Sequence, residues 1–371
     1  MSRILGPVFR AGLRAVSSTW EDYSRLIMVG DGSSWVLSWE AREVSRLARK
    51  LGVPVTNARW VTGSKKQAVF YGDQYGLLLQ PFPEGGHRIA MAYFHGKPYT
   101  GERVFDECYA RLRRDHQRID RIQSSHTEMR DIILESGVDP RKVFLIPIGI
   151  NLSYFSVQTP DSRSQARAQF GIPQSAVVVG SFQKDGVGWG EGSQPKLIKG
   201  PDVFLKAIEV LRDHIPEIYV LLSGPARGFV TAGLERLRVP YKHLYLRSYP
   251  EVGQLFQALD VYIVASRQEG GPKALLESMA SGVPLVTTRV GQAMDIVKHE
   301  VNGWMVDVEE HEALAHWAVQ AVTNTGTTQA VLEEGLSTAR QHSYDAQLPL
   351  WKEFMHGFVT FQERIGERAA P

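Results

Sequence analysis

Two glutamates, Glu269 and Glu277, stand eight positions apart in Ser266-Arg-Gln-Glu-Gly-Gly-Pro-Lys-Ala-Leu-Leu-Glu-Ser-Met-Ala-Ser-Gly-Val-Pro. Gly270 and Gly271 remove side chains between them, so backbone N–H groups can approach a ligand, and Pro272 suits the first turn of a helix. The amino end of such a helix attracts a phosphate or a hydroxyl-rich sugar. Glu269 then sits just before the helix and Glu277 about two turns inside it, ~10 Å along the axis. That suits two contacts on one extended ligand rather than a carboxylate pair clasping one glycosidic oxygen. On spacing alone, a dipole partner and a surface acid fit equally well.

Three further segments carry polar groups after apolar runs. Gly30-Asp31-Gly32-Ser-Ser could bring backbone close to a phosphate or an acceptor, or form a tight turn. Gly224-Pro-Ala-Arg-Gly places Arg227 near a strand end, where it reaches a ligand or stays a surface arginine. Gly186-Val-Gly-Trp-Gly-Glu-Gly mimics a dinucleotide fingerprint, but no helix opens directly from its glycines. It reads as a long flexible loop that could close over a ligand.

The elements that must position these groups alternate short apolar runs with helix-like stretches, an α/β pattern with parallel sheets. Strands are predicted at 25–30, 77–79, 88–94, 120–124 and 143–148, with helices at 38–51, 102–118 and 127–136. A second unit has strands at 176–180, 218–224, 244–246, 261–265 and 284–288, with helices near 201–213, 229–237, 251–259, 272–281 and 309–322. The polar stretch 151–168 sets the boundary: residues 1–155 form the first domain and 156–347 the second. A final helix at about 348–371, with Trp351, Phe354, Phe358 and Phe361, is expected to pack back on the first domain. Ligands of such doubly wound units bind beyond the carboxyl ends of the strands.

Bulk properties narrow the class. The net charge of +2 over 371 residues argues against a dedicated nucleic-acid binder. Residues 1–150 hold 22 Lys and Arg against 16 Asp and Glu, and the remainder 20 against 24. The basic first half suits an anionic partner, a phosphorylated acceptor or a membrane surface; a solvated basic face explains it equally well. Cys108 is the only cysteine, which excludes an internal disulfide and fits a reducing cytosol. It reads as a core residue rather than a nucleophile. No run approaches a membrane span. The first 16 residues, with Arg3, Arg10 and Arg14, make a poor secretory signal, and a short membrane-surface segment or a packed or disordered terminus are the alternatives.

The stretch from Glu269 to Glu277, followed by Ala280-Ser-Gly-Val-Pro-Leu-Val, Gly291, Asp295-Ile-Val and Asn302-Gly-Trp-Met-Val, resembles the signature of retaining glycosyltransferases of family 4. Val143-Phe-Leu-Ile-Pro-Ile-Gly-Ile-Asn and Lys199-Gly-Pro-Asp resemble further segments of that family. The likeness covers about 119–320 and is weak before Ile89.

The resemblance implies a GT-B fold, two Rossmann-like doubly wound domains facing across a cleft, with an acceptor-side first domain and a donor-binding second. It implies that Glu277 binds the ribose hydroxyls of a nucleotide, that Glu269 with Gly270, Gly271 and Pro272 holds the donor sugar, and that Lys199 neutralises the diphosphate. His95, in Tyr93-Phe-His-Gly, resembles the family's active-site histidine. The family's arginine partner of Lys199 is replaced here by Ser181, which leaves Lys184 or Lys196 as substitutes. No Asp-x-Asp pair and no His/Cys cluster is present, so no metal and no other cofactor is expected.

The reading is a cytoplasmic, metal-independent, hexosyltransferase-like enzyme that moves a sugar with retention from a nucleoside-diphosphate sugar to a small-molecule, lipid or glycan hydroxyl acceptor. Nucleic acid is not an expected partner, and peripheral contact with the inner membrane face stays open through the basic first domain. A nucleotide-sugar hydrolase, epimerase or sugar phosphorylase of the same fold, and a non-catalytic sugar-nucleotide-binding protein, are the rivals. Product analysis with and without an acceptor separates the first group, and nucleotide calorimetry tests them all.

Overall fold

The computed structural model describes residues 22–30, 36–61 and 66–361. The basic N-terminal segment, Asp31 and Gly32 lie outside the described residues.

Six parallel strands form the first sheet: β1 (Asp22–Val29), β2 (Val55–Ala58), β3 (Gln67–Tyr71), β4 (Arg88–Tyr93), β5 (Arg121–Ser124) and β6 (Val143–Leu145), in the order β2-β1-β3-β4-β5-β6. Every residue of β3 is buried, as expected of a parallel strand covered on both faces. Helices α1 (Val36–Lys50), α2 (Gln74–Leu78), α3 (Arg103–Asp115) and α4 (Thr127–Glu135) cover it. On α1, the buried Glu40, Ala41, Val44, Leu47 and Ala48 recur at helical spacing and make one inward stripe. Leu77 and Leu78, expected in a strand, belong instead to α2: Asp73 accepts the Gly76 N–H at 2.7 Å and starts a helical turn. β6 is shorter than the expected 143–148 because Pro147 has no N–H to continue the ladder.

After α5 (Pro160–Phe170), the second sheet comprises β7 (Val177–Phe182), β8 (Ile218–Ser223), β9 (Tyr241–Leu244), β10 (Val261–Val264), β11 (Leu285–Thr288) and β12 (Trp304–Val306), ordered β12-β11-β10-β7-β8-β9 and all parallel. Its helices are α6 (Pro201–His214), α7 (Gly228–Leu237), α8 (Val252–Phe256), α9 (Ala274–Ala280), α10 (Ala293–Ile296), α11 (His311–Thr323) and α12 (Thr325–Gln341). The polar stretch before β7 is ordered helix, because Thr159 and Ser162 form a reciprocal capping box around Pro160 and Gly171 closes the far end in a left-handed conformation. β9 lies three residues earlier than the expected 244–246.

α13 (Leu348–Met355) returns to the first domain, where Trp351, Phe354 and Phe358 enter one core with Leu26, Phe70 and Ala90. Phe354 meets Phe70 edge-on at 5.6 Å. The helix ends at Met355, short of the expected continuation. Among the described residues, no helix is long and apolar enough to cross a membrane.

Candidate functional site

The two sheets point their carboxyl ends at each other, and the sequence candidates collect there. His95 follows β4, Lys184 follows β7, and Glu269 follows β10. Lys199 ends a short turn (Leu197–Lys199) that leads through Gly200 into α6. Gly200 has φ 61°, and a Cβ there would overlap the Ala265 carbonyl oxygen, so only glycine lets this turn lie against the end of β10. The result is a direct ion pair: Lys199 Nζ lies 2.6 Å from Glu269 Oε2, and Ser266 Oγ donates to Glu269 Oε1 at 2.8 Å.

Lys184 and Lys196 complete a cluster of three ammonium groups. Burial, followed by repulsion from Lys199, holds the Lys184 ammonium below its ordinary pKa. Burial, Lys199 and then Lys184 do the same to Lys196, against weaker support from Glu269 and Glu102. Three ammonium groups gather around the single carboxylate of Glu269, and this surplus positive charge attracts an anion. Trp189 lies over Lys184, with the ammonium 4.6 Å from the ring centroid.

His95 faces this cluster. Burial first, then Lys199, Lys196 and His126, drives its pKa well below the ordinary value, so the imidazole is neutral at pH 7. Its edge contact with Phe105 at 4.8 Å fixes the ring, and neither ring nitrogen has a hydrogen-bond partner among the described residues. A neutral imidazole with two uncommitted nitrogens can donate to or accept from a ligand hydroxyl.

Gly270 and Gly271 bring the loop against the first domain. A Cβ on Gly270 would overlap the Phe94 carbonyl oxygen, and Ser125 Oγ donates to the Gly270 carbonyl at 3.0 Å. Pro272 and Lys273 stay outside α9, which begins at Ala274. Glu277 consequently lies in the first turn of this seven-residue helix, not two turns inside it. It is 4% exposed and accepts a hydrogen bond from Tyr249 Oη at 2.5 Å. Burial raises the Glu277 pKa, while Tyr249 and then Lys273 oppose that rise.

Arg227 does not present its guanidinium to the cleft. It is 1% exposed, pairs with buried Asp185 at 3.0 Å, and donates to the Ser181, Gln183 and Ser223 carbonyls and to Ser181 Oγ. The side chain of Ser181 thus meets an arginine from another loop, but one committed to structure. The 186–192 segment, expected to be a flexible loop, is tied down: Gly228 N and Phe229 N donate to the Glu191 and Gly192 carbonyls, and Val187 N donates to Gln194. Gly30 follows β1 with its N–H on the Ala58 carbonyl, so that amide is committed to the sheet edge. Cys108 is 1% exposed and its thiol is pushed up to about 12 by burial, consistent with a core residue.

Several residues at the site escaped the sequence reading. Thr127 donates through N and Oγ1 to Asp295 Oδ2 at 2.7 and 3.0 Å, and Ile148 N donates to Gln292 Oε1 at 3.0 Å, so α4 and the end of the first domain are stitched to α10. Lys273 reaches Glu40 of α1 and Tyr344. The spacing Gly291-Gln-Ala-Met-Asp295 hinted at Asp295; no local signal pointed to Glu40, Tyr249 or Tyr344. Among the described residues, no group of three or more His, Cys, Asp and Glu is placed to hold a metal ion. A groove of about 490 Å³ beside β6, lined in part by Arg121, Phe144 and His356, includes none of these cleft residues.

Solved structures match nearly the whole chain. The Anabaena protein Alr3699/HepE, determined with UDP-glucose, superposes with a TM-score of 0.69 at 16% identity, covering 90% of this chain and 99% of that one. A glycosyltransferase from Rickettsia africae superposes at 0.68 with 14% identity, covering 91% and 99%. The fold is GT-B. Within it, residues 195–335, most of the second domain, match the family model described as glycosyl transferases group 1. Curated relatives include the D-inositol 3-phosphate glycosyltransferases of Corynebacterium urealyticum, 28% identical over 65% of this chain and 57% of that protein, and of Saccharomonospora viridis, 30% identical over 59% and 52%. The chain spans little more than half the length of these relatives.

Proposed function

We propose that this GT-B chain is a retaining glycosyltransferase that moves a hexosyl group from a nucleoside-diphosphate sugar to a hydroxyl acceptor. One observation carries the reading: three lysines and one carboxylate of the second domain converge with a neutral imidazole of the first where the strand ends of the two domains meet. The lysines take the diphosphate, with Lys199 central and both Lys184 and Lys196 in reach, and stabilise charge on the leaving group. Glu269 and the backbone of Gly270, Gly271 and Pro272 hold the sugar, His95 contacts its hydroxyls, and Glu277 takes the ribose hydroxyls. Arg227 has no ligand role in this scheme; it braces the loop that carries Lys184.

In the reaction the bond from the anomeric carbon to the diphosphate oxygen breaks, the acceptor oxygen bonds to that carbon on the same face, and the acceptor proton passes to the departing phosphate. Lysine charge replaces a metal in this scheme. The UDP and UDP-glucose bound by Alr3699/HepE support a UDP-sugar donor. The basic first half and the name of the curated relatives support an anionic acceptor such as a phosphorylated polyol. A membrane surface is the other anionic partner the basic first domain fits, and a cytoplasmic setting suits both.

Calorimetry with UDP, GDP and ADP tests the donor site, and failure of all three to bind would falsify the proposal. A ¹H NMR time course with the matching nucleotide sugar, run with excess EDTA, checks stereochemistry and metal independence. An inverted first product, or turnover abolished by chelation, would each remove the corresponding part of the reading.

A further inference from the structure

Lys273 stands four residues before Glu277, the spacing at which a lysine and a glutamate meet along a helix. In the structure the lysine turns elsewhere. Its ammonium forms a direct ion pair with Glu40 of α1, in the other domain, and both side chains are buried. Tyr344 Oη donates to the same Glu40 oxygen at 2.5 Å and lies 2.9 Å from Lys273 Nζ. Gly149 makes room for this arrangement, since a Cβ there would sit 2.8 Å from the Tyr344 ring. Glu277 has the Tyr249 hydroxyl instead, and among the described residues it makes no ion pair. Two buried carboxylates thus share the neighbourhood of one buried ammonium, and the first domain's carboxylate holds it.

We propose that Glu40 is a positioning residue for nucleotide recognition. By holding Lys273 across the domain boundary, it keeps that ammonium off the Glu277 carboxylate, which bonds Tyr249 through Oε1 and retains acceptor capacity for ribose hydroxyls. The inference rests on the reading of Glu277 as the ribose ligand. Removing Glu40 leaves the Lys273 ammonium buried and uncompensated, a costly state that pairing with another nearby anion relieves. Without Glu40 that anion is Glu277, one turn away, and the new pair occupies the carboxylate that the ribose needs. Ribose recognition by the second domain is therefore conditional on α1 of the first domain being seated against it.

The test compares binding of UDP and 2′,3′-dideoxy-UDP to wild type, Glu40→Gln and the double variant Glu40→Gln/Lys273→Met. If another base is preferred, the corresponding pair of nucleotides is used. Wild type should favour the nucleotide with hydroxyls by at least about tenfold, the size of one charge-assisted hydrogen bond. Glu40→Gln should lose most of that preference while its affinity for the dideoxy form holds, and its KM for donor should rise with kcat little changed. Removing the lysine as well should restore the preference, because the competing cation is gone. A variant that is merely loosened loses affinity for both nucleotides, which overturns the proposal. So does a preference that Glu40→Gln retains, or one that the double variant fails to recover. Absence of any preference in wild type strikes at the ribose reading itself.

Discussion

The two glutamates of one segment, Glu269 in the loop after β10 and Glu277 in α9, live in opposite electrostatic surroundings. Glu269 is outnumbered by Lys199, Lys184 and Lys196, whereas Glu277 and Glu40 outnumber Lys273. The Glu269 end of the segment therefore carries surplus positive charge and faces His95 of the first domain. The other carries surplus negative charge, dry and lined by the tyrosine hydroxyls of Tyr249 and Tyr344. An anion belongs at the first end and neutral hydroxyl donors at the second. On the proposed reading a nucleoside diphosphate presents both at once, and two neighbouring carboxylates of identical chemistry are then not interchangeable.

Charge removal at the positive end should have the largest effect. Lys199→Ala leaves Glu269 without its ion-pair partner and takes away the central cation; kcat/KM for the donor is expected to fall by about 10²–10³ in steady-state assays. Loss of less than tenfold would break the contrast. Glu277→Gln keeps the shape of the other end but removes its charge. It should raise the donor KM by roughly tenfold to a hundredfold, the worth of hydrogen bonds to a charged group, with kcat less affected. Lys184→Met should cost about tenfold or less in kcat/KM, because two lysines remain.

Salt sharpens the same comparison without mutation. Raising ionic strength from 0.05 to 0.5 M, roughly a threefold shortening of the screening length, should weaken UDP binding severalfold and leave uridine binding nearly unchanged, as followed by calorimetry. Equal loss for both ligands would mean that the two ends are not electrostatically distinct.

The smallest effect concerns protons. Burial lowers the folded-state pKa of His95 and of His126. The unfolded chain then takes up protons first as pH drops, so stability is full above about pH 6.5 and declines below it, by at most ~1.4 kcal/mol per pH unit for each histidine. Thermal melts of wild type and His95→Gln between pH 7.5 and 5.5 should converge towards the acid end. A His95→Gln melt that falls as steeply as wild type would remove His95 from this account.

Much of the second domain was legible because its signals are local. The strand ending at Val264, the two glycines after Glu269 and the lysine-glycine turn before Pro201 all declare themselves within a few residues. Arg227 misled for the opposite reason. Its position after β8 suggested a ligand contact, but Asp185, far away in sequence, folds the guanidinium inwards. Glu40 and Lys273 are 233 positions apart and no local pattern joins them. In the first domain, Val55-Thr-Asn-Ala has too little apolar alternation to announce an edge strand, and Leu77-Leu78 reads as a strand unless the Asp73 cap is noticed. Burial and pairing decided those elements from outside the segment.

The return of the chain to its first domain has a mechanical consequence. Two covalent crossings join the domains, one after Ile150 and one before Tyr344, and they are fastened side by side: Ile150 N donates to the His342 carbonyl and Tyr344 N to the Ile150 carbonyl, at 3.2 and 3.0 Å. Two tethers laced at one point leave the lobes a single pivot where a lone linker would permit free tumbling. Any opening of the cleft would therefore swing about residues 150 and 342–344, as a door does on one hinge line.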